Sequence, residues 1–187
     1  MIGRMRRPLV LPWALGALFV GGIVHISSVL LMPRFARNDA YARLGVRPPG
    51  LALLPDPAVT QSMPFQDQRA EYGICNFDLD RGALRVRSNA SPNALLTISF
   101  HDRLGHNFYS TTDRAALRGR LDVLLLTEHQ LDTVEANDPE DQAPQELRLT
   151  PPTTTGFVLI RALIEEPGGR EAARQAVGAA QCLTERE

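Results

Sequence analysis

ICNFDLDRGALRVRS, residues 74–88, decides the fold class. Cys75, Phe77 and Leu79 alternate with Asn76 and Asp78, and Leu84 and Val86 alternate with Arg85 and Arg87, which is the two-residue period of half-buried strands. Asp80-Arg81-Gly82 carries turn chemistry, so the stretch predicts an antiparallel hairpin with one apolar face. A second hairpin follows at 94–112, ALLTISFH-DRLG-HNFYSTT. Leu96, Ile98 and Phe100 share its inner face, and Gly105 supplies a positive φ near the end of the loop.

Outward toward the C-terminus, strands are expected at 121–126 (LDVLLL), 145–150 (QELRLT) and 156–164 (GFVLIRALI). The last is apolar on both faces and reads as central. His129 falls at a strand end, and EANDPEDQAP, 135–144, is an acidic, Pro-containing surface loop. After Gly168-Gly169 a C-terminal helix is expected, with Ala173, Ala176, Val177 and Ala180 as its buried stripe. Short strands closed by one helix predict a mainly β, antiparallel sandwich or barrel-like domain over residues 70–187.

Toward the N-terminus, residues 8–32, PLVLPWALGALFVGGIVHISSVLLM, contain no Asp, Glu, Lys or Arg. At about 1.5 Å per residue such a helix crosses a roughly 30 Å hydrocarbon core. A cleaved secretory signal is the competitor, because Arg4, Arg6 and Arg7 precede the run. Its apolar region would be only about 7–15 residues long, so the reading is an uncleaved transmembrane anchor. Residues 1–7 are then the cytoplasmic N-terminus. Residues 33–69 form a juxtamembrane helix (34–44) and a linker stiffened by Pro48, Pro49, Pro55 and Pro57.

All 20 basic residues are arginine. Without lysine there is no Schiff-base enzyme and no phosphate-loop lysine. A net charge of −1 supplies no field for gathering nucleic acid. Arg34, Arg37, Arg43 and Arg47 after the span would instead meet anionic headgroups of the lipid bilayer. Because they balance Arg4, Arg6 and Arg7, the charge rule leaves orientation nearly tied, and the two cysteines break the tie. Cys75 and Cys182 bracket the domain and read as a disulfide between the first strand and the end of the last helix, formed in an oxidising compartment. Two unrelated buried thiols in the cytoplasm are the alternative. The expected address is the bacterial inner membrane, single-pass, with the soluble domain facing the periplasm.

Few side chains point to chemistry. His101, His106 and Asp102 flank the loop of the second hairpin as a rudiment of a metal site, but polar residues are the default at hairpin ends. With no zinc-ligand run, C-x-x-C or glycine-rich phosphate cradle, neither a metal nor a cofactor is predicted. Ser-His-Asp spacing occurs without a G-x-S-x-G elbow. Asp102, Asn107, Tyr109, Asp113 and Arg114 would line a pocket for a polar ligand, with Arg114 clamping an anion; the competing reading makes them turn, cap and salt-bridge residues. Within the span, Ala14, Ala17, Gly21, His25 and Ser28 fall in an arc of roughly 80°. That small, polar face suits a second transmembrane helix, from a partner or a second copy in a homodimer; Gly and Ala are also simply common in spans.

Several stretches, in order, resemble one family. His25-Ile26, Leu31-Met32-Pro33, Asp39-Ala40-Tyr41-Ala42-Arg43-Leu44 and Cys75-Asn76-Phe77-Asp78-Leu79 come first. Ser99-Phe100-His101-Asp102 with Gly105, Asn107-Phe108-Tyr109 and Asp113-Arg114 follow, and Thr155-Gly156 with Leu159-Ile160-Arg161-Ala162-Leu163 comes last. This series is similar to the short, membrane-anchored bacterial proteins of the family called domain of unknown function 1254. The resemblance implies an integral membrane protein with a β-rich domain and no established reaction; it carries no catalytic residue across. The expected function is binding or assembly with a partner in the envelope. The alternative is a periplasmic hydrolase acting on a small phosphorylated or glycan substrate.

Overall fold

The computed structural model describes residues 7–35, 41, 50–55, 66–90, 95–116, 119–139 and 144–185. Contacts divide the chain into two compact units, Met1–Arg37 and Asn38–Glu187. The first is built on α1 (Arg7–Phe35), a single unbroken helix. Its segment Val10–Met32 has a mean hydropathy of 2.1 and is long and apolar enough to cross a membrane. The side chains of residues 10–32 are all exposed.

Among its described residues the second unit holds nine strands, β1 (Ala52–Leu53), β2 (Ala70–Asp78), β3 (Ala83–Asn89), β4 (Leu95–Asp102), β5 (Asn107–Thr112), β6 (Arg120–Leu125), β7 (Leu147–Leu149), β8 (Thr155–Leu163) and β9 (Gln181–Glu185), with helices α2 (Glu128–Ala136) and α3 (Arg170–Gly178). One sheet runs β1-β2-β8-β4-β5 and the other β7-β6-β3-β9. All pairs are antiparallel except β6 and β7. Cys75, Phe77, Ile98, Phe100, Val158 and Ile160 of the first sheet meet Leu84, Val86, Val123, Leu125 and Cys182 of the second in one core. The expected β sandwich with a C-terminal helix is therefore present. α3 adds Ala173 and Val177 to the core, and a Cβ placed on Gly73 of β2 would run into the Val177 side chain, so the helix lies directly on the strand. β8 is central as its two apolar faces require. Its outer face, with that of β2, is covered by a second cluster in which Leu54, Ala70, Tyr72, Ile74 and Phe157 pack with Tyr41.

Four expectations need correction. The 74–88 stretch is not a hairpin: β2 pairs with β1 and β8, whereas β3 pairs with β6 and β9. Both apolar faces point into the core from opposite sheets, and a 3-10 turn at Leu79–Arg81 followed by Gly82, φ 137°, carries the chain across. Glycine is required there, since a Cβ would strike the Glu185 carbonyl. Cys182 does not end the last helix; α3 stops at Gly178 and the cysteine lies in β9. His129 is not at a strand end but in the first turn of α2, a helix with no buried residue. Finally, Ala52–Leu53 of the expected linker forms β1, and Leu54 is buried. The expected juxtamembrane helix lies outside the described residues beyond Phe35, apart from Tyr41, as do Arg37, Arg43 and Arg47.

Candidate functional site

The second expected hairpin is present as β4 and β5 and gathers most of the polar chemistry. The register slips by one residue between Phe100 and His101, the mark of a bulge, and Gly105 in the turn has φ 94°. Two histidine pairs result. Asp102 accepts from the His106 amide at 2.8 Å and lies 2.9 Å from His106 Nδ1. Burial pushes the Asp102 carboxyl up, but the bonds from the His106 amide and ring prevail and hold it below its ordinary value. The His106 side chain is 75% exposed, so its other nitrogen faces water.

On the opposite face of β4, His101 Nε2 stands 3.0 Å from Ser99 Oγ and His101 Nδ1 stands 3.1 Å from the Gly105 carbonyl. The imidazole stacks on Phe157 of β8 at 4.9 Å between centroids, with 6° between planes. Gly156 makes the approach feasible, because a Cβ there would collide with the His101 carbonyl and the Phe77 ring. Strand periodicity places Ser99 and His101 on one face; this was the available signal for a pair that motif reasoning overlooked. His101 and His106 thus have separate partners, and no group of three His, Cys, Asp or Glu able to hold a metal occurs among the described residues.

The five residues expected to line a ligand pocket are spread along the hairpin. Asp102 and Asn107 sit at its turn, where Asn107 donates to Ser110 Oγ. Tyr109 packs against Phe100 at 6.0 Å. Asp113 and Arg114 follow the far end of β5, about 20 Å away at roughly 3.3 Å per residue. Asp113 is buried with Oδ1 lacking a hydrogen-bond partner, whereas Arg114 is exposed. These positions occupy turn and strand-end places at opposite ends of the hairpin. In α1, Ala14, Ala17, Gly21, His25 and Ser28 are all exposed, and a Cβ on Gly21 would meet nothing within 4 Å.

Cys75 and Cys182 stand at disulfide distance across the sandwich, Cα atoms 6.4 Å apart. The outer face of the second sheet carries an ion network. Arg85 binds Asp122 through two hydrogen bonds, of 2.8 and 3.1 Å, and reaches Glu185; Arg87 adds a third bond to Asp122. Arg148 joins Asp138 and Glu146 in the same way. Burial pushes Asp122 up, yet the Arg85 and Arg87 guanidiniums hold its carboxyl below the ordinary value. Every acid is met by arginine, which marks the network as structural.

No protein-family model and no curated protein match the sequence. Among solved structures, the chain is similar to the VPA0106 protein from Vibrio parahaemolyticus, with 9% identity and a TM-score of 0.48 over 65% of this chain and 29% of that one. It is also similar to an uncharacterized protein from Burkholderia cenocepacia, with 11% identity and a TM-score of 0.47 over 73% of this chain and 35% of that one. The chain spans about a third of the length of each.

Proposed function

We propose that the chain is a single-pass inner-membrane protein of the domain of unknown function 1254 family, with its sandwich in the periplasm, and that it acts by binding an envelope partner. The apolar α1 supports the anchor, and the Cys75–Cys182 pair supports an oxidising compartment on the domain's side. The observation that carries the binding reading is the edge of the first sheet. β5 pairs only with β4 among the described residues, leaving the amides and carbonyls along its other side free to take an extended segment of a partner protein. At the adjoining turn Leu104 is 61% exposed and offers an apolar anchor beside that edge.

A photo-crosslinking residue at Asn107 or Ser110, both exposed, tests this in intact cells. Each position should capture one discrete partner, whereas the same residue at exposed Glu171 of α3 should not. Equal capture at all three positions, or none, refutes edge binding. An export-dependent reporter fused after Glu187 tests the address separately and should be active; activity only from a cytoplasm-dependent reporter refutes it. The face of Ala14, Ala17, Gly21, His25 and Ser28 is proposed to meet another transmembrane helix, from the same partner or a second copy.

A further inference from the structure

We propose that Ser99 is an activated nucleophile with His101 as its general base, and that the pair takes a small carboxylic ester. The hydrogen bonds fix the direction of the proton. A carbonyl oxygen only accepts, so the 3.1 Å contact with Gly105 makes His101 Nδ1 the protonated nitrogen. A neutral ring in that tautomer presents a lone pair on Nε2, 3.0 Å from Ser99 Oγ. Ser99 is then the donor and the imidazole the acceptor, the polarity a nucleophile and its base need, with a main-chain carbonyl as the orienting third group. The Phe157 stack and the positive φ of Gly105 hold ring and carbonyl in place. The Leu159 carbonyl, 3.3 Å from Ser99 Oγ, is the alternative acceptor for the same hydroxyl and the longer contact.

A charge-stabilising donor lies on the same face. Arg161 pairs in register with Thr97, two residues before Ser99. Its Nη2 is held by Asp67 at 2.8 Å, while its Nε is buried and has no hydrogen-bond partner. An unsatisfied guanidinium N–H on the strand face that carries the nucleophile is the donor assigned to the negative oxygen of a tetrahedral intermediate. In the reaction, Ser99 Oγ bonds to the ester carbonyl carbon as its proton passes to His101 Nε2. The bond from carbon to the alcohol oxygen breaks, and the alcohol leaves with that proton. Water, deprotonated by the same nitrogen, then cleaves the acyl-serine to release the acid and restore Ser99. Ser99 and His101 are both half-buried.

This inference does not depend on the binding reading. The test uses the full chain in detergent micelles with a fluorophosphonate probe and p-nitrophenyl acetate, read by intact mass and peptide mapping. One covalent adduct on Ser99 is expected, lost in Ser99→Ala and formed about 100-fold more slowly in His101→Gln. Free imidazole should restore labelling to His101→Ala and not to Ser99→Ala, a rescue that a merely structural histidine would not give. Circular dichroism checks that each variant is folded, and the adduct in the unsubstituted chain decides even where a variant is not. Absence of an adduct on Ser99, or equal rates in the unsubstituted chain and folded His101→Gln, overturns the proposal. The adduct on Ser99 and partner capture at β5 are read in separate experiments on the unsubstituted chain, so failure of one reading leaves the other standing.

Discussion

Replacing Cys75 or Cys182 by alanine deletes a single sulfur atom and should nonetheless destabilise the sandwich strongly, because it removes the link between the two sheets. The cysteines are 107 residues apart in sequence, and a cross-link closing a loop of that length restricts the unfolded chain by about 4.8 kcal/mol on the chain-entropy argument. Alanine is the cleaner replacement. Both side chains are buried, at 1% and 7% exposure, and a serine hydroxyl there would add roughly 1–3 kcal/mol of unmet polar burial. Each single variant removes the whole link, so Cys75→Ala, Cys182→Ala and the double variant should lose similar amounts, within about 1 kcal/mol of one another. At roughly 2–4 °C per kcal/mol for a unit of this size, the melting temperature should fall by about 10–20 °C. Urea unfolding of the full chain in micelles, followed by circular dichroism, gives the midpoint; the slope should steepen, because an unlinked unfolded state exposes more surface. A midpoint unchanged in Cys75→Ala, or a double variant that loses the sum of the singles, would refute the cross-link. So would two thiols that alkylate in the native, exported protein.

Gly156→Ala should cost about 1–3 kcal/mol, since its Cβ meets the His101 carbonyl and the Phe77 ring; an unchanged melting temperature would show that the strands have room there. Asp122→Asn removes the charge and one of the two oxygens that accept from Arg85 and Arg87 and should cost about 1–3 kcal/mol near neutral pH. Because the folded Asp122 pKa lies below the ordinary 3.8, its contribution is complete above that value and is lost as pH falls through the lower folded one. Below about pH 4 the parent should therefore converge on Asp122→Asn; parallel acid-unfolding curves would contradict the pairing. Thr127→Ala deletes the capping box at the start of α2 and should cost about 1 kcal/mol, seen as faster amide exchange over Glu128–Ala136; exchange at the parent rate would count against the cap. Gly21→Leu should abolish association of the span in detergent while Leu18→Ile leaves it intact, and equal association would show that the face looks at lipid.

Alternation along the chain made most strands legible, because burial enforces a period of two wherever one face is in the core. The β4–β5 hairpin, β6 and β8 follow it, and the double-faced apolar run of 156–164 marked the central position of β8. Pairing was another matter. A run such as 74–88 has the same alternation whether its halves lie side by side in one sheet or face each other across two; the choice rests on Gly82 passing against the Glu185 carbonyl, a residue more than 100 positions away. α2 was hidden for the opposite reason, since it buries no side chain and so has no apolar stripe to read, although Thr127 and Gln130 already spelled its capping box. β9 was masked by the alanines of 172–180, which extend a helical pattern as far as Ala180, itself buried just beyond the end of α3.

The same limit explains the candidate site. Ser99 and His101 are visible in sequence as neighbours on one strand face, and in most sheets that means two solvated side chains. What converts them into a directed pair comes from elsewhere: the bulge after Phe100, the carbonyl of Gly105 turned back onto Nδ1, and the Phe157 ring brought by β8. Each is set by the fold rather than by local composition. Gly156 links the two levels, because the close passage of β8 over His101 that lets Phe157 stack is open only to a residue without a Cβ. The tautomer, and with it the nucleophilic direction of the Ser99 hydroxyl, is thus a consequence of strand packing.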